Sequence, residues 1–92
     1  MKATLTSDSY MIIVARGAER DLNKLDRPVL NRIVPVIDNL SQDPRPPGSR
    51  KLVNEMNKWR VRVGDWHVLY EIDDDARTVR VIAVRHRSKA YE

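Results

Sequence analysis

Hydrophobic residues recur along this chain with two periods, and the change of period divides it in half. Residues 1–8 read as a short polar arm. Tyr10 to Ala15 (YMIIVA) is a compact β-branched run and reads as a buried strand. From Gly17 to Leu25 the apolar Ala18, Leu22 and Leu25 are spaced four and three apart, which predicts a short amphipathic helix. Asp26 is placed to cap a second helix, with Pro28 in its first turn, where a missing N–H costs little. Val29, Ile33, Val36, Ile37 and Leu40 mark the buried face of that helix, and Pro35 inside the run is expected to kink or split it. SQDPRPPGS, Ser41 to Ser49, is a loop by its breakers, and the following KLVNEMN suits no single element.

The period then falls to two. In WRVRVGDWHVLYEI, Trp59, Val61 and Val63 alternate with Arg60 and Arg62, and Gly64-Asp65 is a two-residue turn signal. A hairpin of that length sets Val63 against Trp66, Arg62 against His67, Val61 against Val68 and Trp59 against Tyr70. One face then carries Trp59, Val61, Val63, Trp66, Val68, Tyr70 and Ile72, and must cover the helices. The other carries Arg60, Arg62, His67, Leu69 and Glu71. Asp73 to Arg77 is a second turn, Thr78 to Val84 a further strand, and RHRSKAYE a basic tail. The order β-α-α-β-β-β predicts an α+β fold in which two N-terminal helices pack on one face of a mostly antiparallel four-stranded sheet. Residues 1–92 are read as a single domain with no repeat.

Length and composition narrow the class. A chain of 92 residues supports one modest core. It has no cysteine, so disulfides and thiolate chemistry are excluded. No apolar run is long enough for a signal peptide or a membrane span, so a soluble, cytoplasmic protein with no membrane partner is expected. The net charge is +4. From Arg16 to Asp43 the charges cancel, whereas Pro44 to Arg62 holds six basic residues against Glu55, and Ala76 to the end holds five against Glu92. The positive charge thus gathers where the sheet is predicted, which points to an anionic partner such as nucleic acid or an acidic protein.

Arginines beside one imidazole and a tyrosine, with no cysteine and no Ser/His/Asp order, suit cleavage of an RNA phosphodiester without metal. The 2′-hydroxyl attacks phosphorus, guanidinium forks match the charge that accumulates on the non-bridging oxygens, and His or Tyr moves a proton. Arginines alternating on a strand are by themselves also the ordinary wet face of a sheet. Opposite Arg62, His67 is held toward its neutral form. The acids Asp73 to Asp75 lie in a turn and read as solvated, so no metal and no cofactor are expected. Strand parity beyond Val84 leaves Arg85 and His86 open between a phosphate clamp and plain surface.

From Tyr10 to Tyr91 the chain resembles the RelE/ParE toxin superfamily. The segments that carry the resemblance are AERDLNKLD, DPRPPGSRKL, WRVRVGDWHVLYEIDDD and the closing VRHRSKAY with its HR-x-x-x-Y ending. The resemblance implies a RelE-type toxin of a type II toxin–antitoxin system, a ribosome-dependent mRNA endoribonuclease that inhibits translation. It implies catalytic roles for Arg60, Arg62, His67, Arg87 and Tyr91, and RNA contacts for Arg45, Arg50, Lys51, Arg85, His86 and Lys89. Without the resemblance, Tyr91 also suits a packing residue that docks the C-terminus, and Arg45, Arg50 and Lys51 a solvated loop. The implied partners are a cognate antitoxin, the ribosome and mRNA, with operator DNA reached only through the antitoxin. In relatives the second-strand pair is often lysine and the third-strand position usually arginine. Here they are Arg60, Arg62 and His67, which leaves the phosphate clamp intact and opens the identity of the general base. Two alternatives share the fold: a ParE-type toxin that poisons DNA gyrase, and an inactive toxin-derived binding module.

Overall fold

The computed structural model describes residues 9–89. β1 (Met11–Val14) leads into α1 (Arg16–Asn23) and α2 (Arg27–Asn39). Then follow β2 (Arg50–Lys51), β3 (Lys58–Val63), β4 (Trp66–Asp73), β5 (Thr78–His86) and a 3-10 turn at Arg87–Lys89. The strands form one sheet in the order β1-β5-β4-β3-β2. β1 runs parallel to β5, and the remaining pairs are antiparallel. The helices carry the chain from the β1 edge to the β2 edge, and the last four strands meander back. No helix among the described residues is long and apolar enough to cross a membrane.

The sheet has five strands where four were expected. The addition, β2, arises at the start of the stretch that suited no element: Arg50 pairs with Arg60 and Lys51 with Trp59. Asn54 (φ 65°) and Asn57 (φ 61°) make the return to β3, a conformation asparagine tolerates better than most side chains. A strand of two residues is too short to show alternation.

Pro35 does not split α2, which is continuous through it. Pro35 and Asn31 are both exposed, so the carbonyl of Asn31 that loses its donor is within reach of water. Asp26 occupies the N-cap position in an extended conformation, but its side chain makes no capping bond; its carbonyl accepts the Leu30 N–H at 2.9 Å. α1 stops at Asn23, two residues short of the expected Leu25, because Lys24 and Leu25 bond back to the carbonyls of Asp21 and Leu22.

The core lies between the helices and one face of the sheet. Ala18, Ile33, Ile37 and Leu40 pack against Val61, Val68, Tyr70, Ile72, Val79, Val81 and Val84. Tyr70 is wholly buried and donates its hydroxyl to the carbonyl of Pro44 at 2.8 Å, which ties the proline-rich loop to the sheet. Burial pushes the Tyr70 pKa up to about 12.

The β3–β4 register matches the expected hairpin pair for pair. β5 runs two residues past the expected Val84 and contains a bulge: Leu69 opposes Ala83 while Tyr70 opposes Val81, leaving Ile82 unopposed. The extra residue reverses the alternation. Val79 and Val81 face the core before it; Val84, opposite Val68, and His86, opposite Trp66, face the same way after it. Arg85 is thereby turned onto the open face.

Candidate functional site

The open face of the sheet collects cations in two adjacent rows. The first runs Arg62, His67, Arg85 and the second Arg50, Arg60, Leu69, Ala83. One depression of about 330 Å³ is lined by Arg62, His67, Arg87 and Ser88; a second, of about 410 Å³, by Gly48, Arg50, Arg60, Arg62 and His67. Arg62 and His67 line both.

His67 is only 7% exposed, although it lies on the face without helices. Its Nδ1 is buried and has no hydrogen-bond partner. Burial foremost, then the positive charges of Arg60 and Arg62, lower its pKa from the ordinary 6.5. The ring is therefore neutral at pH 7.

The cations around it are held from the hairpin. Arg62 Nε donates to the Gly64 carbonyl at 2.8 Å. The Arg87 N–H donates to the Asp65 carbonyl at 2.7 Å, and Arg87 Nε lies 3.7 Å from Asp65 Oδ1. Glu71 lies between Lys58 and Arg80 and pairs with Arg80 at 3.4 Å. Among the described residues no three His, Asp or Glu side chains come together as metal ligands.

Six candidates thus share the open face or its rim: Arg50, Arg60, Arg62, His67, Arg85 and Arg87. Four do not. Arg45 is held by Asp74 at 2.9 Å with its guanidinium 5.2 Å from the Trp59 ring, on the helix side. Asp74 also accepts the Tyr10 hydroxyl at 2.6 Å, and its hydrogen bonds from Arg45 and then Tyr10 hold its carboxyl below the usual range. Lys51 is opposite Trp59 and shares its side of the sheet. His86 meets Trp66 edge-on at 5.1 Å and bonds Ser88, which turns it from the open face. Lys89 borders a cleft with Asp21, Leu25 and Trp66 near α1, a cleft that Arg85 also lines. Tyr91 lies outside the described residues. Sequence reasoning passed over Arg32, an exposed α2 residue whose guanidinium rests on Gly64. Nothing in the helical periodicity distinguishes it from other solvated arginines.

Comparison with known proteins agrees with this architecture. Residues 12–91 match the family model described as ParE toxin of type II toxin–antitoxin system, parDE. The chain is similar to toxin RelG of Mycobacterium tuberculosis, with 31% identity over 83 residues, 89% of this chain and 95% of that one. It is also similar to a chain of the toxin–antitoxin complex RelBE2 of the same organism (TM-score 0.76, 32% identity, 86% of this chain and 99% of that one). The isolated Escherichia coli RelE toxin shares the fold at 18% identity, with a TM-score of 0.77 over 90% of this chain and 89% of that one. The chain belongs to the RelE/ParE superfamily of toxins of type II toxin–antitoxin systems.

Proposed function

We propose that this toxin is a RelE-type endoribonuclease that cuts messenger RNA on the ribosome. The observation that carries the reading is the neutral, nearly buried imidazole of His67 set in a row between Arg62 and Arg85, with Arg60 and Arg87 beside it. The 2′-hydroxyl oxygen bonds to phosphorus and the bond to the 5′ oxygen breaks, leaving a 2′,3′-cyclic phosphate and a 5′-hydroxyl end. Arg62 and Arg87 neutralise the charge growing on the non-bridging oxygens. With its proton on Nδ1, His67 offers the Nε2 lone pair to the 2′-hydroxyl proton. Tyr91 is assigned the proton for the leaving 5′ oxygen on the family resemblance alone. The clamp consists of guanidiniums and a neutral ring, so the charge is met without a metal ion.

A cognate antitoxin is the proposed protein partner. The similar RelBE2 structure is a toxin–antitoxin complex, and a net charge of +4 favours an acidic wrapping segment. A ribosomal substrate implies a cytoplasmic protein. A second reading is gyrase poisoning, favoured by the ParE description of the matching family model. A reconstituted translation mix beside a gyrase supercoiling assay tests the two: message cleavage with undisturbed supercoiling supports the first, and the converse the second.

A further inference from the structure

The turn that aligns Arg62 with His67 also gathers a cation from a third part of the chain. Of its two residues only Gly64 has positive φ, 60°. Arg62 Nε is bonded to the Gly64 carbonyl, and Arg87 is held on Asp65 through its backbone and side chain. From α2, Arg32 lays its guanidinium against Gly64 so closely that a Cβ there would overlap it. The turn conformation is what requires glycine here; the overlap with Arg32 shows how near its guanidinium lies, and that exposed side chain could move aside. Arg32 is exposed, and among the described residues it makes no hydrogen bond or ion pair.

Three guanidiniums, from α2, β3 and the segment after β5, thus converge on a two-residue turn whose one carboxylate, Asp65, is matched to Arg87. Like charges gathered in this way repel one another in the free protein and complement a polyanion. Two of the three also line the depression that holds His67. On the ribonuclease reading, we propose that Arg32 extends the RNA-binding surface across the hairpin turn and holds the phosphodiester next to the scissile one. A guanidinium on a phosphate positions the strand without reading its bases. The message would then run from the Arg62–His67–Arg85 row over Gly64 toward α2.

The test is binding of a labelled single-stranded RNA oligonucleotide by the full chain across a salt series, which needs neither ribosome nor cleavage. Arg32→Ala should weaken binding about three- to tenfold and reduce the slope of log affinity against log salt by about 0.7, the share of one phosphate on a single strand. Arg32→Lys should restore the slope and part of the affinity. Arg77→Gln removes a cation at the opposite end of β4 and should leave both within about twofold. Unchanged affinity and slope in Arg32→Ala, an equal loss in Arg77→Gln, or no RNA binding by the wild type would each overturn the proposal. A wild type that binds RNA but leaves ribosome-bound message intact would end the ribonuclease reading, while the Arg32 comparison would still decide this one.

Discussion

Arg62 and His67 are directly opposed across the β3–β4 hairpin, yet the Arg62 side chain turns back to donate its Nε–H to the carbonyl of Gly64 at 2.8 Å. That bond fixes the guanidinium stem beside the imidazole and leaves the outer N–H groups for a phosphate. The pair combines a group that stays charged with one that stays neutral, and it divides the labour expected of each.

In the proposed reaction Arg62 is assigned the stabilisation of charge and not the role of base, because guanidinium keeps its protons. Arg62→Ala is expected to lose about 2–4 kcal/mol of transition-state stabilisation, roughly 30- to 1,000-fold in single-turnover cleavage of ribosome-bound mRNA. A loss below about threefold would remove Arg62 from the clamp.

His67 is assigned the base because its pKa lies below 6.5 and its ring is neutral. The cleavage rate of the wild type should climb as pH rises through that depressed value and then level off. His67→Arg restores the common family residue but removes the proton acceptor, and should lose about 10²-fold or more. A His67→Arg variant with the wild-type rate and an unchanged pH profile would end the general-base assignment.

Stability should depend on pH through the same ring. The folded pKa of His67 is lowered, so below about pH 6.5 the unfolded chain binds more protons than the folded one. Stability is therefore full above that value and is lost as pH falls from it toward the folded pKa. Asp74 acts in a lower window: its carboxyl is also depressed, so its contribution holds above the unfolded value of about 3.9 and is lost as pH falls through the folded pKa. Urea midpoints should drop between about pH 7 and 5.5 in the wild type and stay level in His67→Leu. Parallel curves for the two proteins would contradict this.

Much of this arrangement was legible in the sequence, and the part that was not has a physical reason. The Arg62–His67 pairing followed from a two-residue turn, which fixes register. The helices followed from apolar spacing around Ile33 and Ile37. The side of the sheet on which Arg85 and His86 fall did not, because the Ile82 bulge inserts one residue into β5 without a glycine to mark it. β2 was too short to show a period. Arg45 has the composition of an RNA contact but is held by Asp74, some thirty positions away in the chain, and such a pairing leaves no local trace. Burial of His67 on the open face also went unseen, since the period of two marks that face only as polar.

The Tyr70–Pro44 bond gives a test of the scaffold apart from the site. Tyr70→Phe keeps the ring and leaves the Pro44 carbonyl without its donor, at a cost of about 1–3 kcal/mol in denaturant unfolding. An unchanged unfolding midpoint would show that the loop is held by other means.

The most direct test of the account is single-turnover incubation of the purified chain with ribosomes holding a defined mRNA, followed by mapping of the new ends. The expected result is cleavage in the presence of EDTA, with 2′,3′-cyclic phosphate and 5′-hydroxyl termini, suppressed by Arg62→Ala. Intact message at stoichiometric toxin, or cleavage that EDTA abolishes, would contradict it.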